Sequence, residues 1–260
     1  MHVTYNSGNF FQAMISIDLN CDMGEGMSTD ALIMPYISSV NIACGYHGGD
    51  TDTIKRTIEL ALQHNLAIGA HPGFADKENF GRKEQQLSNE QYYNLVREQL
   101  NIIQQIINAS GATLHHVKPH GALYNMSATN PSLANIIALV VKDHDASLIL
   151  YGLSNSSSIY EAEKLELKTA SEVFADCTYT DDGSLTPRTN PNALITSEQQ
   201  SLQQVLQMLQ EQTVTSTNNK TVPVKADTIC IHGDGAHAIT FAQLIFKTLK
   251  QNNIAIQTIR

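Results

Sequence analysis

Short apolar stretches rich in β-branched residues alternate along this chain with longer stretches whose apolar residues recur at helical spacing. The short stretches predict strands at about 15–20, 40–44, 66–70, 113–118, 147–151, 169–175 and 228–232. The longer ones predict amphipathic helices at about 52–65, 88–110, 131–144, 154–164, 196–212 and 235–252. Two of these helices begin with the spacing of a capping box, Ser88 with Gln91 and Thr196 with Gln199.

Alternating strands and helices predict parallel strands joined by right-handed crossovers. Seven such units over residues 14–260 favour an α/β fold, a TIM-like (β/α) barrel of seven strands. An open doubly wound sheet is the alternative, but it normally carries a glycine-rich nucleotide loop after its first strand. The segment Met23-Gly24-Glu25-Gly26 does not fit that pattern.

The predicted domain organisation is one catalytic barrel domain at 14–260, preceded by an extension. Residues 1–13 are polar and show no period, so we expect them to be disordered. The tract at 211–225 is rich in Thr, Asn, Ser and Gln, and it predicts a long surface connection before the last strand.

Charge and composition exclude several classes of function. The net charge of −9, without a cluster of Lys or Arg, argues against a nucleic acid or an anionic membrane as partner. No apolar run approaches the roughly 18 residues of a membrane span, and no signal peptide is visible, so we expect a cytoplasmic protein. The four cysteines contain no C-x-x-C pair, which indicates free thiols.

Polar residues follow almost every predicted strand at its carboxyl end. In a (β/α) barrel these ends converge on one mouth, so residues that are far apart in sequence are expected to share a pocket. Single residues of this kind are usually turn or capping groups, but six such strand ends in one chain favour a site. The candidate catalytic residues are Asp18, Asn20, Asp22, His47, His71, Lys118, His120, Glu172, Asp176, His232 and Asp234.

Two kinds of chemistry fit this set of residues. Carboxylates and histidines can bind a divalent metal that activates water, as in metal-dependent hydrolases. Alternatively, Asp and His act as general acid and base without a metal, while Lys118 and Arg188 neutralise an anionic substrate. The sequence has no H-E-x-x-H motif to select the metal, and both possibilities stay open at this point. An EF-hand at Asp18 is excluded, because its sixth position is Met23 and its twelfth is Thr29.

Seven motifs, in order along the chain, resemble those of the LamB/YcsF family. They cover the chain from about residue 15 to the C-terminus. The motifs are Asp18-Leu-Asn-Cys-Asp-Met-Gly-Glu-Gly26, Asn41-Ile-Ala-Cys-Gly-Tyr-His-Gly-Gly-Asp50, Gly69-Ala-His-Pro-Gly73 with Phe80-Gly-Arg82, Val117-Lys-Pro-His-Gly-Ala-Leu-Tyr-Asn125, Glu172-Val-Phe-Ala-Asp176, Leu185-Thr-Pro-Arg188 and Ile229-Cys-Ile-His-Gly-Asp234.

The resemblance implies a barrel related to the glycoside hydrolase/deacetylase group. It also implies the role of the A subunit of a 5-oxoprolinase, which opens 5-oxo-L-proline to L-glutamate with ATP and Mg²⁺, in complex with B and C subunits. Candidates for substrate binding are Asn41, Lys118, Tyr124 and Arg188. No G-x-x-x-x-G-K-[ST] motif is present, so partner subunits are expected to handle ATP.

The chain departs from the family pattern at two places. Cys177 stands where the family usually has a basic residue, and Asp234-Gly235-Ala236-His237 replaces the more usual Asp-x-Pro segment. Two alternative functions remain at this point. The chain is either a binding subunit without chemistry of its own, or a metal-dependent deacetylase of a carbohydrate or an amide.

Overall fold

A computed structural model describes residues 16–233 and 238–260 of the chain. Its strands alternate with helices, as the sequence predicts. In chain order the strands are β1 (Ser16–Met23), β2 (Ser39–Ala43), β3 (Ala67–His71), β4 (Leu114–Val117), β5 (Ile149–Leu153), β6 (Lys168–Phe174), β7 (Thr213–Thr215), β8 (Thr221–Pro223), β9 (Thr228–Cys230) and β10 (Ala255–Ile256).

Helices surround these strands. They are α1 (Asp30–Ile33), α2 (Thr51–Gln63), α3 (Asn89–Ala109), α4 (Gly121–Thr129), α5 (Pro131–His144), α6 (Ser157–Lys164), α7 (Glu198–Glu211) and α8 (Ala238–Gln251), with a short 3-10 helix at Met34–Tyr36.

The sheet closes on itself as a barrel of seven parallel strands. Its order is β1-β2-β3-β4-β5-β6-β9, and β9 pairs back with β1 through Asp18 with Thr228 and Asn20 with Cys230. β10 extends β1 at its amino end, where Ser16 pairs with Ala255. The predicted seven-stranded (β/α) barrel is therefore confirmed.

Period-two alternation along β1 separates the two faces of the barrel wall. The odd-numbered residues from Ile17 to Met23 are buried in the main hydrophobic cluster of the protein, whereas Asp18, Asn20 and Asp22 occupy the opposite face. That face lines the interior of the barrel, which is consequently polar where many barrels are filled with branched apolar side chains.

The structure corrects the boundaries of several predicted elements. β1 continues to Met23, beyond its predicted end at about residue 20, so Asp22 lies inside the strand as well. Helix α4, which follows β4 directly, was not predicted. The tract at 211–225 contains an antiparallel hairpin of β7 and β8 where a connection without strands was expected. Hydroxyl and amide side chains are typical of exposed hairpins as well as of loops, which explains the error.

Helix caps were predicted with partial success. The capping box of Ser88 and Gln91 is present at the start of α3. For α7 the prediction is wrong by one residue, because Ser197 accepts the backbone N–H of Gln200.

The proposed extension at 1–13, Asp234 and the segment at 235–237 lie outside the described residues. Across 16–233 and 238–260, none of the helices is both long and apolar enough to cross a membrane.

Candidate active site at the barrel mouth

A pocket of about 750 Å³ opens at the carboxyl ends of the barrel strands. This is the mouth at which the sequence predicts a site, and the volume lies within the range of small-molecule pockets. The pocket brings together several predicted residues from five different segments of the chain. Those that line it are Asp22, His71, Lys118, His120, Tyr124, Arg188 and His232.

Lys118, at the end of β4, lies between two carboxylates. Its Nζ atom is 2.9 Å from Oδ1 of Asp22 and 2.8 Å from Oε1 of Glu172. The same ammonium group lies 3.3 Å from Oδ1 of Asn20 and 3.1 Å from Sγ of Cys230. An ammonium group has three N–H donors, so these contacts use all of them.

Lys118 and Asp22 each stabilise the charged form of the other. Burial by itself lowers the pKa of Lys118, but Asp22 and Glu172 raise it well above its ordinary value. Burial raises the pKa of Asp22, but His71 and Lys118 lower it well below its ordinary value. Lys118 is therefore a cation and Asp22 an anion, held at the floor of the pocket.

Beneath the pocket, Asn20, Asn41 and Glu172 connect the strands through side-chain hydrogen bonds. Asn41 donates to Oδ1 of Asn20 at 2.7 Å and to Oδ1 of Asp22 at 2.8 Å. Asn20 in turn donates to Oε1 of Glu172 at 2.9 Å. All three are completely buried, and this layer fixes the oxygen atoms that face Lys118. They lie next to the pocket without lining it, as supports for Asp22 and Lys118.

Asp18 lies in a deeper layer of the barrel and does not reach the mouth. Its carboxylate accepts hydrogen bonds from four hydroxyl groups, those of Ser38, Ser39, Tyr151 and Thr228. Burial raises the pKa of Asp18, although these hydrogen bonds act in the opposite direction. The expectation that Asp18 belongs to the mouth is wrong, because β1 contributes three interior layers and only its last, Asp22, borders the pocket.

Three histidines converge beside Asp22, together with Glu25: His71 ends β3, whereas His47 and His120 lie in the loops after β2 and β4. The rings of His47 and His120 stack at 3.7 Å, and Nε2 of His71 lies 2.9 Å from Nδ1 of His120. Glu25 Oε1 lies 3.3 Å from His47 Nε2 and 3.4 Å from His120 Nδ1. One donor atom from each of the four lies within 4.8 Å of the others, a geometry that can hold a metal ion.

Burial disfavours a charge on two of these rings. It lowers the pKa of His47 to about 3, and the neighbouring His71 acts in the same direction. Burial, followed by His71 and His47, lowers the pKa of His120 well below its ordinary value. His47 and His120 are therefore neutral imidazoles at physiological pH.

A second ion pair joins His232, which follows β9, to Asp176, which follows β6. Burial by itself lowers the pKa of His232, but Asp176 raises it well above its ordinary value. The pKa of Asp176 is lowered by His232 and by Arg188, in spite of burial. Sγ of Cys177 lies 3.6 Å from Oδ1 of Asp176, so this residue packs against the pair as an uncharged group.

Tyr124 and Arg188 border the pocket from different sides. Tyr124 is buried, and its hydroxyl group has no hydrogen-bond partner within the described part of the chain. Burial and the nearby Glu172 raise the pKa of Tyr124 well above its ordinary value. Arg188 is exposed to solvent at the rim.

Two charged residues that line the pocket, Glu25 and Arg82, were not predicted as site residues, although both belong to motifs that the sequence displays. Glu25 stands between two glycines after β1, and Arg82 follows Phe80-Gly81. Both lie in loops, beyond a strand end, so a search confined to strand ends missed them. The glycine neighbours are the signal that identifies such loops.

Known proteins resemble this chain across nearly its whole length. The model of the LamB/YcsF family matches residues 17–260. A Brevibacillus brevis protein, named as the A subunit of 5-oxoprolinase, is 50% identical over 94% of this chain and 98% of its own length. The crystal structure of a lactam utilization protein from Thermus thermophilus superposes with a TM-score of 0.88, at 37% identity, over 94% of this chain and 100% of that one.

A more distant likeness concerns the fold alone. A family 4 carbohydrate esterase from Streptomyces lividans superposes with a TM-score of 0.52 at 14% identity, over 94% of this chain and 93% of that one. The barrel is thus shared with deacetylase-like proteins, as the sequence motifs imply. With the family model covering residues 17–260, the chain belongs to the LamB/YcsF family.

Proposed function

We propose that this chain is the A subunit of a 5-oxoprolinase, which opens the lactam of 5-oxo-L-proline to L-glutamate with hydrolysis of ATP. The observation that carries the proposal is the 50% identity, over 94% of the chain, with a relative named as the A subunit of 5-oxoprolinase. B and C subunits complete the enzyme in this proposal. The pocket at the barrel mouth supports it, because it combines cations, an ionised carboxylate and neutral imidazoles.

The substrate explains why such a combination is required. A five-membered lactam is a weak electrophile, and its nitrogen leaves only when it receives a proton. Transfer of a phosphoryl group from ATP to the amide oxygen activates the carbonyl carbon toward water. An enzyme for this reaction must bind a carboxylate, orient a water molecule and deliver a proton to the ring nitrogen.

Arg188 and His232 are our candidates for binding the anionic groups. Arg188 is an exposed cation at the rim, and His232 carries a charge that Asp176 stabilises. Lys118, which the sequence suggested for this role, already donates its N–H groups to Asp22, Glu172 and Asn20. In our proposal Lys118 keeps Asp22 ionised and in place, and its positive charge faces the pocket as a fixed field.

Asp22 and the neighbouring histidines are our candidates for water orientation and proton transfer. The Asp22 carboxylate borders the pocket, and its Oδ2 atom lies 3.3 Å from Nε2 of His71. An ionised carboxylate can accept a hydrogen bond from water and align it for attack. The charged ring of His232, which also lines the pocket, can pass a proton to the leaving nitrogen.

Handling of ATP with Mg²⁺ is assigned to the B and C subunits in this proposal, because this chain carries no Walker A motif. The cytoplasmic location expected from the sequence also stays a prediction.

Reconstitution of the three subunits tests the proposal. The complete mixture is expected to form glutamate from 5-oxo-L-proline only when ATP is present, and omission of this chain is expected to abolish the reaction. Asp22→Asn should reduce turnover at least ~100-fold, whereas Asp181→Asn, a partly exposed residue paired with Lys220, should leave it unchanged. If B plus C open the ring without this chain, it is an accessory binding protein, and the proposal is wrong.

A further inference from the structure

The hydrogen bonds of two buried histidines fix the position of their protons. Nδ1 of His71 lies 2.7 Å from the backbone carbonyl oxygen of Lys118, and Nε2 of His120 lies 2.8 Å from that of Phe80. A carbonyl oxygen only accepts, so each of these nitrogens must carry a proton. A ring with this one proton carries its lone pair on the opposite nitrogen, and the two opposite nitrogens, Nε2 of His71 and Nδ1 of His120, lie 2.9 Å apart.

Two carboxylates increase the negative potential at the same point. Oε1 of Glu25 lies 3.4 Å from Nδ1 of His120, and Oδ2 of Asp22 lies 3.3 Å from Nε2 of His71. Two lone pairs and two carboxylate oxygens that face one another repel, unless a cation lies between them. The cation is either a proton shared by the two rings or a metal ion.

We propose that this cluster of Glu25, His47, His71 and His120 is a binding site for one divalent transition metal ion of the zinc type. A tetrahedral ion at about 2.0–2.1 Å from its ligands requires the ligand atoms to be about 3.3 Å apart. The separations from Glu25 to His47 and His120 are 3.3 and 3.4 Å, which match such a site. The rings of His47 and His120 lie parallel with centroids 3.7 Å apart, so one of them must turn before both can direct a nitrogen at the same ion. Three imidazoles and one carboxylate select such an ion over Mg²⁺ or Ca²⁺.

The surroundings of the rings match those of metal ligands. Histidines that bind metals usually donate the other ring N–H to a carbonyl or carboxylate, as His71 and His120 do here. Nδ1 of His47 has no hydrogen-bond partner among the described residues, whereas its Nε2 atom faces Oε1 of Glu25 at 3.3 Å. A bound ion would take the place of the proton between these two atoms.

Glycines allow the rings to pack this closely. A Cβ atom at Gly81 would lie 2.8 Å from Cβ of His47 and 3.0 Å from Cδ2 of His120, and one at Gly73 would lie 2.8 Å from Nδ1 of His47. Because Gly73 and Gly81 have no side chain, His47 and His120 pack directly against their backbone. The four side chains therefore lie close together without an ion, which reduces the free-energy cost of ordering them when an ion binds.

The cluster borders the pocket, since Glu25, His71 and His120 line it. An ion held by all four side chains would accept a water molecule or a carbonyl oxygen of a ligand only as a fifth ligand, from the side that faces the pocket. Such an ion polarises the carbonyl group or lowers the pKa of the water. Metal binding itself is a property of this chain alone and is measured without substrate or partner subunits, so its outcome is independent of the function proposed above.

The test is metal binding by the purified full-length chain after treatment with a chelator. Titration with Zn²⁺ in a calorimeter is expected to give one ion per chain, and Co²⁺ is expected to give visible d–d absorption bands. His71→Gln and His120→Gln should each weaken the Zn²⁺ affinity by about 100-fold or more. His144→Gln, a matched change at a half-buried histidine on α5, should leave the affinity unchanged.

Three results would overturn the proposal. The first is no binding of Zn²⁺ or Co²⁺ by the folded chain, with NMR showing a proton shared between the rings of His71 and His120. The second is Zn²⁺ binding that both glutamine variants retain, which would move the site elsewhere, for example to the group of Asp176, Cys177 and His232. The third concerns Glu25→Gln, a nearly isosteric variant that should also weaken binding: an undiminished Zn²⁺ affinity in the folded variant would contradict the proposal. Far-UV circular dichroism verifies the fold of each variant.

Discussion

His232 donates its ring Nδ1–H to Oδ1 of Asp176 across 2.9 Å, and its backbone N–H to Oδ2 of the same carboxylate across 3.2 Å. The two hydrogen bonds fix the ring against the pocket and keep its charge. Phe174 stacks on the ring of His232, with ring centroids 5.5 Å apart. The pair thereby presents a positively charged edge at a site proposed to bind an anionic substrate.

Replacement of Asp176 by Asn should release this charge. The amide keeps the shape of the carboxylate but not its charge, so the pKa of His232 should fall. NMR titration of the ring nitrogens measures the change. Asp181→Asn, at a partly exposed carboxylate that pairs with Lys220, serves as the control and should leave the His232 titration where it is.

The same variant predicts a pH dependence of stability. The pKa of His232 is raised, so its contribution is present below its ordinary value of 6.5 and is lost as the pH rises through the folded value. The pKa of Asp176 is lowered, so its contribution is present above 3.8 and is lost as the pH falls through the folded value. Urea unfolding should therefore show the greatest stability difference between wild type and Asp176→Asn at about pH 4–6.5. A difference that does not vary with pH would contradict the charged pair.

Lys118→Met should destabilise the barrel strongly. The substitution leaves Asp22 and Glu172 without the cation that both carboxylates contact. Removal of one partner from a buried ion pair typically costs about 3–5 kcal/mol. Urea unfolding measures the loss, and Lys142→Met is the control, because Lys142 makes one hydrogen bond to the backbone oxygen of Leu165. Recovery of part of the stability in Lys118→Met/Glu172→Gln would show that the uncompensated carboxylates cause the loss.

Asp18→Asn should affect stability and leave catalysis intact. Its carboxylate accepts hydrogen bonds from four hydroxyl groups in a layer below the site, so the loss of its charge should cost about 1–3 kcal/mol. Turnover per folded molecule in the reconstituted enzyme should equal that of the wild type, in contrast to Asp22→Asn. A large loss of turnover in a fully folded Asp18→Asn enzyme would return Asp18 to the active site.

Gly69→Ala should disrupt the barrel interior at His116. An added Cβ atom would lie 2.2 Å from Nε2 of His116, which donates a hydrogen bond to Oδ1 of Asn41 at 2.8 Å. Overpacking of this kind typically costs about 1–3 kcal/mol. The matched control is Gly233→Ala, whose Cβ atom would have its nearest neighbours at 3.5 Å. Thermal unfolding compares the two, and equal melting temperatures would show that His116 moves aside without cost.

The alternation of apolar and polar residues was sufficient to predict the barrel. Each barrel strand pairs in parallel with its neighbours, and a closed parallel barrel requires the repeated strand–helix period that this sequence displays. The convergence of Asp22, Lys118 and His232 on one mouth follows from that topology and was also predictable. The ends of individual strands were not, because nothing local stops β1 before Met23: its pairing with β2 extends as far as Ile42.

The amino-acid sequence by itself thus determined the fold class, the end of the barrel that carries the pocket and seven of the residues that line it. Only the tertiary structure decided how deep each side chain lies in the barrel and which residues it contacts. Asp18 and Asp22 are four residues apart on one strand face, yet one is surrounded by hydroxyl groups and the other faces Lys118 and His71. Glu25 joined the site through a loop. The environment of a side chain depends on the residues that other strands and loops bring to its level, and these lie up to 210 positions away in the chain.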